Sequence, residues 1–377
     1  MKNNKTMHFL FFLVYAFGAL STTQTIPFLK QNGFHDMQQG WILASIALFT
    51  IVLQIIFGIA SDRTGKMKPF FIVLFLVSAS LSVWLYLKTW KDFWIMFLFV
   101  GFIGGGCRCY QSMVDTWVLE LKDKKNQFEK DKAFGSLGWA IGAWAAALNC
   151  SFFSFQVLAW MSLFTGTAAL VISFFCRDGQ RDSTIQFSLL KDLIRNKEYL
   201  LLILLMLVLF SMGCADIYLV VDKIISLGGN SFHIGLKWGI QSLAEAPVFF
   251  LAEKLITRFK MIPLLLFSTV MFGIRFLIYG LLQEVCWIVA AALLQSVTFP
   301  VAIYCTKVGI DQCTDQRMKS TAQLAGASIY MGISLLVMPV LCSGLSQMFS
   351  KDIALFCVAS FSFLALGLIM AYKKVIS

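Results

Sequence analysis

The sequence predicts an all-α membrane protein: twelve transmembrane helices in two pseudo-symmetric bundles of six, with both termini cytoplasmic. Three observations carry the prediction. Only 14% of the 377 residues are charged and 59% are hydrophobic. A soluble domain carries roughly 25% charged residues, so there is too little charge here to cover an aqueous surface. Apolar runs of about 20 residues recur without two-residue alternation, which selects helices over a barrel as the way to satisfy the backbone in lipid. Lys and Arg are also unevenly placed. Of the 31, 23 fall on the side of the termini and six on the other, and Arg108 and Arg275 lie within spans. That asymmetry marks a cytoplasmic face.

In chain order the predicted spans are Phe9–Leu29, Gly40–Ala60, Phe70–Leu87, Phe93–Leu119, Ala133–Phe153, Phe155–Phe175, Tyr199–Val221, Phe232–Leu251, Pro263–Leu282, Val285–Val308, Ser320–Leu345 and Ile353–Tyr372. The first is longer than the apolar core of a signal peptide and lacks a small-x-small cleavage site, so it reads as a retained helix. Lys30, Lys88, Lys91, Lys223, Lys237 and Lys351 fall on the side away from the termini, and Asp222 and Glu284 read as loop residues. The net charge of +11 belongs to loops of the positive face and implies no nucleic acid.

Residues 1–176 form the first bundle and 199–377 the second. Between them, 177–198 is a central cytoplasmic loop in which Ser188–Arg195 alternates apolar and charged residues as a surface amphipathic helix would. A shift of 195 residues lays Gly40 on Gly235 and Arg63 on Arg258, with Pro69 one residue out of register from Pro263. The same shift puts Asp62 on Thr257, so the second copy lacks the acid.

Charged groups near the bilayer centre cost at least ~2.5–3.5 kcal/mol each and demand an explanation. Glu245 and Arg275 lie at similar depth on consecutive antiparallel helices and form a plausible pair, either a structural salt bridge or a carboxylate able to carry a proton. Arg108, Gln111 and Asp115 share one face of the fourth span at i, i+3 and i+7, with Gly104 extending that face. Lys132 opens the fifth span where the fourth ends and is placed to meet Asp115. Asp216 lies towards the outer end of the seventh span, facing a cavity or hydrated among headgroups. Trp139 sits among Gly135, Gly138 and Gly142. Those small residues let a neighbouring helix approach, and the Trp is either packing filler or a wall on which a ring could stack.

The stretch Gly58-Ile-Ala-Ser-Asp62-Arg63-Thr-Gly65-Lys66-Met-Lys-Pro69 reads as a polar loop between two apolar runs. Taken alone it is a solvated turn. Its Gly-x3-Asp-Arg-x-Gly-Lys pattern resembles the loop between the second and third helices of major facilitator superfamily transporters. Phe134-Gly-Ser-Leu-Gly-Trp139-Ala140, following Lys130 and Lys132, resembles the fifth helix of lactose-permease-like oligosaccharide/proton symporters. Ala244-Glu245-Ala246-Pro247 with Arg275 resembles the eighth and ninth helices of that group and of phenylpropionate-permease-like transporters. Arg108-x-x-Gln111-Ser112 resembles the fourth-helix motif of proton-coupled facilitators, with Ser for the usual Gly.

The resemblance implies that Asp115 and Lys132 bind sugar, that Trp139 stacks on it, and that Glu245 and Arg275 couple substrate to protons. Lys132 replaces an Arg, so bidentate bonding is lost. The tenth span offers Gln295-Ser-Val-Thr298 and no His-Glu pair. The three His, at 8, 35 and 233, lie near or outside span ends. The topology puts the Gly58 loop on the cytoplasmic face and the half-repeat leaves its acid unique to the first half, which points to a gate: Asp62 against the N-terminus of the eleventh helix near Ser320, where free N–H groups favour an anion, with Gly58 allowing close approach and Arg63 orienting the acid.

The resulting expectation is a monomeric secondary-active transporter of a bacterial cytoplasmic membrane. It would carry a sugar, nucleoside or aromatic acid by alternating access, driven by a proton or other cation gradient without a cofactor. Its partners would be the small-molecule substrate and the lipid bilayer. The alternatives are a proton-driven exporter, disfavoured by the absence of Pro between Ala133 and Phe153, and a sensor that keeps the fold. The ten Cys show no metal spacing, and no Cys/His or Ser/His constellation suggests an enzyme.

Overall fold

The computed structural model describes residues 2–121, 128–178, 193, 195–314 and 319–376. Among these, every regular element is helical: α1 (Lys2–Thr22), α2 (Thr25–Gln31), α3 (Asp36–Thr64), α4 (Lys68–Leu87), α5 (Phe93–Glu120), α6 (Phe128–Phe152) and α7 (Phe155–Phe175), then α8 (Lys197–Ala215), α9 (Val221–Ser226), α10 (Ser231–Phe259), α11 (Met261–Leu281), α12 (Val285–Ala291), α13 (Phe299–Cys313), α14 (Lys319–Met348) and α15 (Lys351–Ile376). Most of the expected central helix Ser188–Arg195 lies outside the described residues.

Ten segments among the described residues are long and apolar enough to cross a membrane. Their outer faces carry residues such as Phe164 (80% exposed) and Phe363 (76%), an arrangement that only a hydrocarbon surrounding stabilises. The protein is a multi-pass membrane protein. α6 and α10 are not among the ten and are more polar: α6 opens with Lys130, Asp131 and Lys132 and is rich in Gly and Ala, and α10 carries Lys237, Glu245 and Lys254.

The chain divides into two compact units, residues 1–184 with 228–243, and 185–227 with 244–377. The boundary passes through α10 between Leu243 and Ala244. Pro247 has no N–H to offer the carbonyl of Leu243, so the helix is weakest at that point. In the first unit α1 packs on α6, α3 on α5 and α4 on α7; in the second α8 packs on α14 and α11 on α15. The α1–α6 and α4–α7 pairings thus recur as α8–α14 and α11–α15. The first unit's core is aromatic: Phe17, Phe71, Phe75, Tyr110 and Trp117 are fully buried and in ring contact.

Three expected continuous helices are broken. Pro27 cannot bond to the carbonyl of Thr23, so the first rod splits into α1 and α2, and the hydroxyls of Thr22 and Thr23 bond back to Gly18 and Ala19. The seventh widens to a π-helical turn at Asp216–Val220 between α8 and α9. The tenth tightens to a 3₁₀ segment at Ala292–Val297, then kinks at Thr298 before Pro300. Such irregular turns re-aim side chains and mark functional positions.

The polar stretch from Gly58 is mostly helix. α3 runs through Gly58, Asp62 and Arg63 to Thr64, and Gly65 ends it in the left-handed conformation (φ 65°), which a Cβ would strain. A Cβ built on Gly58 meets nothing within 4 Å, so no close approach uses it. Arg63 and Lys66 are exposed. The side chains of Asp62 and Ser320 lie outside the described residues, and so does the expected latch. The observed anion at a helix start is a different one: Asp178 Oδ1 accepts from the N–H groups of Met67 and Lys68 at 3.2 and 3.1 Å, capping α4.

Candidate functional site

Each unit holds a cluster of charged side chains among its helices. In the first, α5 supplies Asp115, α6 supplies Lys132 and α1 supplies Tyr15. The Lys132 ammonium is 2.6 Å from Asp115 Oδ2 and donates to the Tyr15 hydroxyl, which donates to Asp115 Oδ1 at 3.3 Å. These side chains are 40% (Lys132) and 26% (Asp115) exposed, so the pair is reachable from water. Gly135 makes room for the Tyr15 ring, 3.0 Å from where its Cβ would stand.

One and two turns back along α5 from Asp115, Gln111 and Cys107 converge with Trp139 of α6 on Gly18 of α1: a Cβ there would lie 2.8 Å from Gln111 Nε2, 2.9 Å from Cys107 Sγ and 3.4 Å from the Trp139 ring. The buried Nε2 of Gln111 has no hydrogen-bond partner, and Arg108 is half-buried without an ion pair, both among the described residues. Gly104 does not extend this polar face; it turns to α3, where its Cβ would crowd Ile46.

The second unit's cluster centres on Arg275, which is 0% exposed. Its guanidinium pairs with Asp216 at 2.8 Å, donates to Gln295 Oε1, and reaches Tyr279 at 3.2 Å and Thr298 at 3.4 Å. Gln295 in turn donates from Nε2 to Glu245 Oε1 at 2.7 Å. Glu245 is therefore joined to Arg275 through an amide, and the ion pair expected between them goes to Asp216. This corrects the reading of Asp216 as cavity-facing or headgroup-hydrated: at 3% exposure it is the arginine's buried counter-ion. The two broken helices explain the geometry. The π-helical turn begins at Asp216 and the 3₁₀ segment carries Gln295, so two of Arg275's four partners stand where the backbone leaves α-helical pitch.

These clusters sit in a chain whose residues 5–351 match the model of the MFS_1 like family. The chain belongs to that family of major facilitator transporters. The chain is similar to a maltose permease of Geobacillus stearothermophilus, 22% identical over 86% of this chain and 83% of that protein. A raffinose permease of Escherichia coli is 24% identical over 63% and 59%. Among solved structures, the nucleoside transporter NupG superposes with a TM-score of 0.85 at 12% identity over 98% and 99% of the chains. A bacterial homologue of the human lysosomal transporter Spinster, inward-facing and unoccupied, gives 0.74 at 12% over 99% and 96%. The MFS fold and a transporter function for small organic solutes follow.

Sequence reasoning missed several charged groups of this MFS protein. Lys223, placed in an outer loop, is 1% exposed; it pairs with Asp352 at 2.7 Å and donates to the terminal carbonyls of Tyr279 and Gly280. Asp222, read as a loop acid, is fully buried against Lys351 at 2.8 Å. Lys237, counted on the outer side, is 0% exposed within α10, its ammonium 3.6 Å from the centre of the Trp238 ring. Asp131 was hidden between Lys130 and Lys132, which read as a basic pair. Its side chain is buried and bonded to His8. The available signal was an acid inside a basic helix start, and for Lys237 the helical spacing from Gln241 and Glu245.

Proposed function

We propose that this protein is a proton-driven importer of a short oligosaccharide, working as a cofactor-free monomer in a bacterial inner membrane. It works by alternating access, with twelve crossings and both termini cytoplasmic. The observation that carries the reading is the first cluster. Gln111 Nε2 has no hydrogen-bond partner among the described residues and lies with the Trp139 ring around Gly18, one turn from the water-accessible Asp115–Lys132 pair, and Arg108 holds no ion pair among those residues. An acid, a cation and an amide converging beside a flat indole suit a polyhydroxylated ring, whose hydroxyls accept and donate and whose C–H face stacks. The maltose and raffinose permeases among its relatives support a sugar.

Coupling falls to the second cluster. Glu245 is the carboxylate that takes the proton, and Gln295 relays its charge state to the Arg275–Asp216 pair. The test is flux in proteoliposomes under an imposed pH gradient, with radiolabelled maltose, raffinose and uridine. Uphill uptake of a sugar that collapses with the gradient, and that Glu245→Gln abolishes while downhill exchange persists, is the expected result. Uptake of uridine alone would overturn the sugar assignment, and uphill flux indifferent to Glu245→Gln would overturn the coupling role.

A further inference from the structure

Arg108 carries a charge that the reading above leaves unused. It lies near the middle of the 28-residue α5, at a depth where an ionised group is costly and marks the path of a solute. Between Gly104 and Val118 the residues of α5 that are not buried are Arg108, Gln111, Ser112, Asp115 and Thr116, and all five are polar. Their spacing of three and four residues puts them on one side of the helix. A polar side at this depth fronts water rather than hydrocarbon, so it is the side that a dissolved molecule reaches.

The charges on this side do not cancel. Lys132 holds Asp115 at 2.6 Å and also donates to the Tyr15 hydroxyl. Arg108 forms no ion pair among the described residues. Arg108, Lys132 and Asp115 together therefore leave one positive charge. Donors are in surplus as well. One turn from Arg108, the buried Nε2 of Gln111 has no hydrogen-bond partner among the described residues, and a guanidinium offers five N–H donors and no acceptor. Gln111 Nε2 and the half-buried Trp139 ring lie 2.8 and 3.4 Å from one point, where a Cβ on Gly18 would stand.

We infer that the solute is an anion: a sugar acid whose carboxylate is recognised by Arg108, with a hydroxyl on Gln111 and a ring face on Trp139. The inference deepens the sugar reading and rests on it for the ring, while the charge rests on Arg108. The planar fork of an arginine matches the two oxygens of a carboxylate, and the pair is both bidentate and charge-balanced. A neutral hydroxyl would occupy those donors without balancing the charge. Asp115 and Lys132, already balanced by each other, are left to the remaining hydroxyls.

Equilibrium binding to the purified protein in nanodiscs tests this with two matched pairs, digalacturonate against its dimethyl ester and benzoate against benzamide. Each pair keeps the ring and removes the charge. Wild type should bind digalacturonate about tenfold or more tightly than the ester, as expected of a hydrogen bond to a charged group. Arg108→Gln should lower the acid's affinity to that of the ester while changing the ester's own by less than about threefold. Arg108→Lys keeps the charge without the fork and should retain part of the preference; it carries the same test should Arg108→Gln fail to fold. A role in packing alone would weaken acid and ester alike. Equal affinity of wild type for digalacturonate and its ester overturns the proposal, and so does a preference that survives Arg108→Gln. If neither sugar binds, the sugar reading fails and the second pair decides the charge. A preference for benzoate over benzamide that Arg108→Gln removes upholds the anion, and the lack of one overturns it.

Discussion

Asp216→Asn tests the geometry of the second cluster most directly, because it separates the two carboxylates that compete for Arg275. The arginine is 0% exposed and pairs with Asp216 at 2.8 Å. Removing one partner of a buried pair strands the other charge and costs roughly 3–5 kcal/mol. Asn keeps an acceptor, and Gln295, Thr298 and Tyr279 still contact the guanidinium, which sets the expectation at about 3 kcal/mol. At about 2–4 °C per kcal/mol for a unit of this size, the melting midpoint should fall by ~6–12 °C. Glu245→Gln retains the oxygen that accepts from Gln295, so its loss should stay under about 1 kcal/mol. A thiol-reactive fluorescent dye suits the assay, because the unbridged thiols of Cys107, Cys109, Cys176, Cys214, Cys305 and Cys342 stay buried until the fold opens. Adding Arg275→Gln to Asp216→Asn removes the stranded charge and should recover at least half the loss. Equal destabilisation by Glu245→Gln and Asp216→Asn would refute the assignment, as would a double variant no more stable than the single one.

Three further outcomes follow from the same structure. Gly138→Ala would drive a Cβ into the backbone of Phe12 at the α1–α6 crossing; overpacking of that kind costs about 1–3 kcal/mol, read as a lower melting midpoint, whereas Gly58→Ala, with open space around it, should melt like wild type. Lys132→Arg should retain the ion pair with Asp115 and keep transport, while Lys132→Gln should raise the solute concentration for half-maximal uptake about tenfold or more, since a charge-assisted bond contributes roughly 1.5–3 kcal/mol. Asp178→Ala removes the carboxylate that accepts from Met67 and Lys68 at the start of α4 and should cost about 0.5–2 kcal/mol, seen as faster amide exchange in the first turn of α4.

Much of the first cluster was legible in the primary structure, because its logic is local. Arg108, Gln111 and Asp115 share a helix face by spacing alone, and Lys132 sits one short connection away, so the Asp115–Lys132 contact at 2.6 Å needed little more than helical periodicity. Tyr15 was not legible: it is a tyrosine in an apolar run, and only the packing of α1 on α6 brings its hydroxyl to the pair. In the second cluster the depth argument correctly put Glu245 and Arg275 in one neighbourhood but assigned the wrong counter-ion. Depth along a helix ignores rotation about its axis, and the π-helical turn at Asp216 and the 3₁₀ segment at Gln295 change that rotation.

Loop and helix were also confused in a consistent direction. Lys223, Asp222 and Lys351 are charged and lie near span ends, so hydropathy assigns them to water. Reciprocal pairing, with Asp352 as the fourth member, buries Lys223 and Asp222 instead. The Gly58–Arg63 stretch looked like a loop because its residues are small or polar, yet helix hydrogen bonding carries α3 through to Gly65.

Composition and periodicity were sufficient for the solvent and the helical class, since those depend on averages over many residues: too little charge for water, and apolar runs of bilayer length. The family was legible only in the resemblance of short motifs such as Gly-x3-Asp-Arg-x-Gly-Lys from Gly58. Which charges meet inside the helices depends on how neighbouring helices are rotated, broken and paired. That information resides in contacts between residues about 50 to 120 apart, such as Gln295 with Glu245 and His8 with Asp131. A buried charge is stabilised only by the particular partner that packing delivers, and for Arg275, Lys223 and Asp131 the folded arrangement chose that partner.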